Sequence, residues 1–502
     1  MARSKASSKA SSKPSSKAAA KASSRPLPRF IDPVDYLAVL WRHLTEGLCE
    51  EIFRALRERE RERKWTIFTL MQFWVALLHS GPEMSQTQAV SECDRRHPLY
   101  PVLTATPESF FERVQSLRPR FFHAVFERVT RAFLEEISAL PIRFASGLSI
   151  ASIPAERFSE IYTLDASRLD PVAHRLKILR RTTRAVIPGS IEALYDVRRG
   201  MIRALHFDPD GSRAEYTMAE QVIGDIPAGS LLVLDRLYAT PTFIDTAQMC
   251  GIDLVARYKG GIKRRDVRLL RRVRRSNLSI DDVLIELGTT RKLGKANTPA
   301  GPVLVRYVEI KTQHEGATHT IKLITTVLDP ERLGAEEMAE LYGYRWTIER
   351  MFLTMKSTLH LERLYNSTPA AVGQQLYATA LLYNALRLAQ AELALKLEVE
   401  PERLSPEKLF PRLMQRLEQR TWIEAGVIWH EALMRASNPS IPHYDPEALA
   451  RSLDHNPRLR LDVHDILLEK RKEGRKRRRY CEGRHMHTSF AKLSGGKRYL
   501  KS

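Results

Sequence analysis

Residues 342–356 read "YGYRWTIERMFLTMK". At about 100° per residue, Tyr342, Arg345, Glu349 and Lys356 fall within an arc of roughly 60°. Tyr344, Ile348, Met351, Phe352, Met355 and Leu359 fall around the opposite side. The spacing predicts one amphipathic helix, opening near Gly334 or Ala335, with a thick apolar face. Its other face lines up a phenol, two cations and a carboxylate. Taken alone, that face reads as solvated surface with an ion pair between Arg345 and Glu349, four residues apart. The rest of the chain decides whether it does more.

Upstream, two apolar runs close on an acid: "IYTLD" on Asp165 and "GSLLVLD" on Asp235. Between them "SIEALYDVRRG" and "MIRALHFDPDG" read as strands that turn at Arg199-Gly200, and "EYTMAEQVIGDI" reads as a helix. After Asp235, "TPTFIDTAQMCG" is helical with a glycine stop, and "IDLVARYK" is again a strand. The order strand, strand, strand, helix, strand, helix, strand predicts an α/β core with a mixed sheet flanked by helices. From about 260 to 316 come "KRRDVRLLRRVRR" (Lys263–Arg275) and strand-like pieces such as "VLVRYVEIK". That stretch is too long for a loop and predicts a β-rich inserted subdomain. "TIKLITTVLD" then leads back to the helix of the opening stretch.

Around this core, composition marks the other regions. Residues 1–27 are a Lys-, Ser- and Ala-rich arm, too polar to bury a core and expected to be disordered. Its Lys residues recur every four positions from Lys5 to Lys21, a low-complexity pattern that imitates a transit peptide. Residues 28–145 show helical periodicity, as in "TIFTLMQFWVALLH", and predict a helical N-terminal domain. It is either a three-helix DNA-reading unit or a packing domain. The α/β domain is placed at 155–365 and a helical C-terminal region at 366–468. A basic tail, 469–502, contains "EKRKEGRKRRR".

The formal net charge of +21 over 502 residues points to a polyanion partner, because each phosphate neutralised releases counterions. The four cysteines are scattered and form no CxxC pair, so they suggest neither a zinc ribbon nor a disulfide framework. Cys481, His485 and His487 lie in the basic tail and read better as part of an arm than as a metal cluster. "TIFTLMQFWVALL" is too short to span a bilayer. A reducing, cytoplasmic and nucleoid-associated setting is expected, with no membrane partner.

Asp165, Asp235 and Glu349 then stand out as three hard oxygen ligands on three elements, suited to Mg²⁺ or Mn²⁺. Two such ions about 3.5–4 Å apart can assist phosphodiester displacement by activating the attacking oxygen and stabilising the leaving one. Taken singly, an Asp after a strand is an ordinary turn or cap residue. Asp170 competes with Asp165 but precedes Pro171 and follows no strand.

The pattern Y-x2-R-x3-E-x6-K, met by Tyr342, Arg345, Glu349 and Lys356, resembles the signature of bacterial insertion-sequence transposases of the IS-four family. "TLDAS" resembles that family's first Asp motif, "VLDRLY" its second and "YRWTIE" its third; a β-rich insertion before the Glu is also a family feature. The resemblance covers roughly 161–389. Leu237 and Ala166 stand where the family usually has Gly, and neither departure removes a ligand. The resemblance implies a ribonuclease H-like fold and a DDE triad in which Asp165, Asp235 and Glu349 are the catalytic metal ligands, with two Mg²⁺ or Mn²⁺ ions. It implies that Arg345 and Lys356 hold phosphates and that Tyr342 donates to a phosphate near the cut. It further implies cut-and-paste transposition through a hairpin, with double-stranded DNA (terminal inverted repeats and target) as partner and a homodimer on paired ends. Trp346 is a candidate to stack near DNA or to join the core. Arg264, Arg268, Arg271 and Arg275, three or four apart in the basic run, are expected to line a DNA path to the metals. The competing readings are a structure-selective nuclease of the same fold, a non-catalytic DNA-binding remnant, and a basic RNA- or ribosome-associated protein.

Overall fold

The computed structural model describes residues 26–468, except 62, 96, 143, 145–152, 154–155, 170–188, 211–218, 220, 289–290, 294–297, 301, 315–316, 441–444 and 455. Residues 1–25 of the N-terminal arm, the C-terminal tail with its Cys/His segment, Asp170 and the first part of the helix expected at 215–226 lie outside the described residues.

A short strand β1 (Phe30–Ile31) precedes six helices: α1 (Tyr36–His43), α2 (Glu46–Leu56), α3 (Ile67–His79), α4 (Gln86–Asp94), α5 (Pro107–Ser116) and α6 (Pro119–Ala139). Their starts follow from local chemistry. Thr45, Thr66, Ser85 and Thr106 cap four of them through the side-chain oxygen, and α5 and α6 open on proline. Helix α3 is apolar nearly all round and is correspondingly buried.

The sheet follows, with β2 (Ile161–Arg168), β3 (Ser190–Asp196), β4 (Met201–Asp208), β5 (Leu231–Leu234), α7 (Pro241–Met249) and β6 (Asp253–Arg257). Next come β7 (Arg264–Arg275), β8 (Leu278–Leu287), a ribbon of β9 (Arg291–Leu293) and β10 (Thr298–Ala300), then β11 (Val303–His314) and β12 (Ala317–Thr325). Nine of these strands form one sheet in the order β4-β3-β2-β5-β6-β12-β11-β8-β7. Strands β2, β5 and β6 run parallel, while β3 and β4 pair antiparallel on one side. This is the ribonuclease H-like arrangement, with the Asp165 strand in the middle of its five-stranded part. The insertion is not a separate subdomain. β12 pairs with β6, and β11, β8 and β7 continue the same sheet outward.

After the sheet come α8 (Ala335–Gly343), α9 (Trp346–Leu353), a π-helical turn over 354–358, α10 (Pro369–Lys396), α11 (Pro406–Ser437), α12 (Pro446–Asp454), β13 (Leu461–Asp462) and α13 (Val463–Ile466). Helix α10 is buried along almost its whole length and joins the helical regions to the sheet. Asn384 takes the backbone of Ile202 on β4 as both donor and acceptor partner, at 2.9 Å each. Gln374 caps the end of α5 by donating to Val114 and Leu117 carbonyls. Arg387 donates to the Gly200 carbonyl at 2.8 Å in the β3–β4 turn. Gly200 has φ +68°, and a Cβ there would come within 2.6 Å of Phe144 and 2.5 Å of Arg387, so the turn takes no larger residue. One apolar core therefore runs from Val34 through the inner residues of β3 and β4 to Ile466, and two smaller clusters cover the rest of the sheet. No helix among the described residues is long and apolar enough to cross a membrane.

Candidate active site

The predicted single helix of residues 334–359 is broken in two. Tyr344 and Arg345 donate to Leu341 and Tyr342 carbonyls three residues back, and Thr347 does the same to Tyr344. Together these bonds make one tightened turn at Gly343-Tyr344-Arg345 that separates α8 from α9. The expected common face is thus distributed: Tyr342 sits on α8, Arg345 at the break, Glu349 on α9 and Lys356 in the π turn. The apolar side follows the sequence, with Ile348, Met351, Phe352, Met355 and Leu359 buried.

These four residues meet the two strand acids. Asp165 lies in β2 and Asp235 directly follows β5, and the two strands are parallel neighbours. Arg345 Nη1 is 2.6 Å from Glu349 and 3.8 Å from Asp165. The Tyr342 hydroxyl donates to Asp235 at 3.5 Å. A guanidinium and a phenol thereby link all three carboxylates. Arg345 is 7% exposed, and its guanidinium lies 4.9 Å from the Trp346 ring centroid. Burial works to lower the Arg345 pKa, but Tyr342 and Glu349 outweigh it and hold it above the ordinary value, so the cation is fixed. Burial raises the Tyr342 pKa, with Arg345 opposing, so the phenol stays a neutral donor.

Lys356 does not reach outward. Its Nζ donates to the Ser167 hydroxyl at 2.6 Å and to the Arg168 carbonyl at 2.8 Å, both two or three residues beyond Asp165 on β2. Burial lowers its pKa. The π turn that carries it is followed by His360 at φ +57°, a left-handed conformation uncommon for a non-glycine residue. Arg345 and Lys356, both expected to hold phosphates, make these contacts within the protein.

The donor chemistry fits a hard divalent cation: three carboxylates on three elements, with Asp165 and Glu349 side chains 22% and 34% exposed. Their gathering is incomplete. Among the described residues no three His, Cys, Asp or Glu side chains stand close enough to share a metal ion. The Arg345 cation lies between Asp165 and Glu349.

The four arginines of the basic run separate into two faces. Cross-strand partners share a sheet face, and β7 skips a residue between Asp266 and Arg268 and between Leu269 and Arg271. Arg268, Arg271 and Arg275 pair with Leu284, Asp282 and Leu278 on one face, which Arg265 joins opposite Glu286. Arg271 reaches Glu336 of α8 at 3.1 Å, so this face adjoins the signature helices. Arg264 pairs with Leu287 on the other face and stacks 4.4 Å over the Tyr307 ring. It stands apart from the path expected for the four.

Sequence reading missed Arg306 and Asp282, a fully buried ion pair with contacts of 2.8 and 2.9 Å. Arg306 also donates to the Val327 and Leu333 carbonyls at 3.2 and 2.8 Å. It thus ties the inserted strands to the segment that launches α8. The available signal was a charge at an inward position of each apolar strand, "IDDVLIEL" and "VLVRYVEI". Ser167, the anchor for Lys356, gave no signal.

Residues 184–385 match the family model described as the transposase DDE domain, a span that includes Asp235, Tyr342, Arg345, Glu349 and Lys356 and begins after Asp165. The central part of the chain is thus similar to a transposase DDE domain. A curated relative, the transposase InsG for insertion sequence element IS4 of Escherichia coli (strain K12), is 24% identical over 185 residues, 36% of this chain. The match spans only 39% of that relative's length. The cryo-EM structure of the piggyBac transposase synaptic complex with hairpin DNA aligns over 83% of this chain and 89% of its own, at 12% identity and a TM-score of 0.33, too low a score to bear on the fold.

Proposed function

We propose that this chain is a DNA transposase that cuts the ends of an insertion sequence and joins them to target DNA, using Asp165, Asp235 and Glu349. The observation that supports this best is the convergence of the two strand acids and the α9 glutamate on Arg345 and Tyr342. The three carboxylates would hold divalent metal, Mg²⁺ or Mn²⁺, as a pair of ions. When bound, that metal supplies activation of the attacking oxygen and stabilisation of the leaving one. The chain's own residues do the positioning. Tyr342 orients Asp235 through its hydroxyl, Arg345 holds Glu349 and Asp165 on one centre, and Lys356 fixes the end of β2 against the π turn. The DNA duplex would lie along the Arg268–Arg271–Arg275 face of β7, which adjoins α8. Two copies acting on paired ends, with a hairpin between first cut and release, complete the reading, and the cytoplasm with its nucleoid is the setting it requires.

The test is incubation of the purified chain with Mg²⁺ and DNA carrying the inverted repeats that flank its gene. Cleavage at the repeat followed by joining of the freed 3′ end to a second duplex is the expected result. Cleavage without joining would make the chain a nuclease of this fold. Binding without cleavage would make it a non-catalytic remnant.

A further inference from the structure

On the face of the sheet opposite Asp165, a polar pair lies inside an apolar cluster. Glu192 of β3 is fully buried, and Tyr238 is 1% exposed. The Tyr238 hydroxyl donates to the Glu192 carboxylate at 3.3 Å. Around them pack Leu164 of β2, Leu194 of β3, Leu234 of β5 and Phe243 of α7, whose ring lies 5.4 Å from that of Tyr238. Burying a carboxylate and a phenol there costs stability even when they bond to each other, and Leu and Phe would fill the same space without that cost. The apolar cluster by itself does not call for them.

The strand register shows what the pair connects. Glu192 lies opposite Ala166 on β2, one residue past Asp165, so the Glu192 and Asp165 side chains leave the sheet on opposite faces. Strands β2 and β5 are parallel with Thr163 beside Val233. The same register carried two residues further sets Asp165 beside Asp235. The two acids are held differently, however. Asp165 lies within β2, where its partner across the ladder is Ala193 of β3. Asp235 lies just past Leu234, the last residue of β5. Its place is set by the turn that follows. The Tyr238 amide donates to the Asp235 carbonyl and the Ala239 amide to the Arg236 carbonyl, each at 3.3 Å, and Thr240 then caps α7. Because β2 stands between β3 and β5, the Tyr238 ring must cross β2 to reach Glu192. Its hydroxyl bond thus ties the loop that bears Asp235 to the strand beside Asp165.

We propose that Tyr238 and Glu192 are positioning residues that fix Asp235 relative to Asp165 and so set how tightly the acids hold a divalent ion. The inference rests on the reading that those acids bind metal. Neither residue touches the ion, and both act through the turn at 235–238. Tyr342 bonds the Asp235 side chain directly, at 3.5 Å, whereas the Tyr238–Glu192 pair holds its backbone from the far face of the sheet. Outer partners that orient metal ligands cost about ten- to a hundredfold in metal affinity when removed.

Binding of Mn²⁺ to the purified full chain without DNA, followed through the paramagnetic resonance of the free ion, tests the proposal. Tyr238→Phe keeps the ring in its cluster and removes only the hydroxyl, and it should weaken Mn²⁺ binding about tenfold. Glu192→Leu removes the acceptor, should weaken binding alike, and serves as the second variant should the first unfold. Glu192→Gln keeps an oxygen for the hydroxyl and should retain most of the affinity. Phe243→Leu loosens the same cluster without touching the bond. It should lower the thermal midpoint and leave Mn²⁺ affinity as in the parent. Parental affinity in either Tyr238→Phe or Glu192→Leu, or an equal loss in Phe243→Leu, overturns the proposal. Asp235→Asn separates this from the reading beneath it. If Asp235→Asn abolishes binding while Tyr238→Phe changes nothing, only the positioning role falls. If the parent binds no Mn²⁺, or Asp235→Asn binds it equally well, the acids do not hold the ion and both readings fall.

Discussion

Two sets of cations that look alike in the sequence differ in what they do. Arg345 and Lys356, in and after the signature helices, are largely buried and committed to Glu349, Asp165, Ser167 and the Arg168 carbonyl. Arg268 and Arg275 on β7 are exposed and make no ion pair with a described residue. The first set arranges the acids, and the second is available to a polyanion. Charge counting alone cannot separate them, because burial decides whether a cation is spent inside the protein or offered outside it.

The largest effects should come from the acids around which the first set is built. Asp165→Asn, Asp235→Asn and Glu349→Gln should each lower single-turnover DNA cleavage in Mg²⁺ by about a thousandfold or more, with end binding nearly unchanged. Near-parental cleavage by any one removes that residue from the centre. Arg345→Met comes next. It leaves three carboxylates without their internal cation and should cost about 2 kcal/mol of stability. Mg²⁺ should restore part of that loss if it binds the same carboxylates, since a ligand of the folded state stabilises by mass action. Thermal unfolding with and without Mg²⁺ reads this directly, and a midpoint insensitive to both the substitution and the ion would break the first half of the comparison.

The residues that reading of the sequence could place are those whose role is local. Asp165 and Asp235 were visible because apolar strands end on them, and Glu349 because its helix has one apolar face. The break at Tyr344-Arg345 was not visible, since one tightened turn barely disturbs a 3.6-residue period. The face of each β7 arginine was hidden by two register skips that no pattern in "KRRDVRLLRRVRR" announces. Arg306 and Asp282 are buried by the pairing of β8 with β11, which alternation within either strand does not announce. The core shared by the two helical regions was illegible for a similar reason. Periodicity tells which face of a helix is buried, not what buries it.

Smaller effects sharpen the comparison. Lys356→Met should slow cleavage about tenfold and cost about 1–2 kcal/mol through the missing bonds to β2, while leaving the salt dependence of DNA binding unchanged. Ser167→Ala should reproduce part of the slowing. A reduced salt slope for Lys356→Met would instead assign it to a phosphate. Arg268→Gln and Arg275→Gln should show the converse: unchanged stability, and a salt slope lower by about one for each phosphate no longer neutralised. Arg264→Gln, on the other face, should leave the slope as it is. Equal slopes for all three variants would move the DNA path away from β7.

The central claim is that Asp165, Asp235 and Glu349 together hold divalent metal. Replacing Mg²⁺ by Fe²⁺ and adding peroxide and ascorbate generates radicals that cut the protein chain beside the bound ion. The fragments can be sized and sequenced. The account predicts cuts clustered near residues 165, 235 and 349, all suppressed by excess Mg²⁺ and abolished together in Glu349→Gln. Cuts elsewhere, or a pattern indifferent to Mg²⁺ and to that substitution, would contradict it.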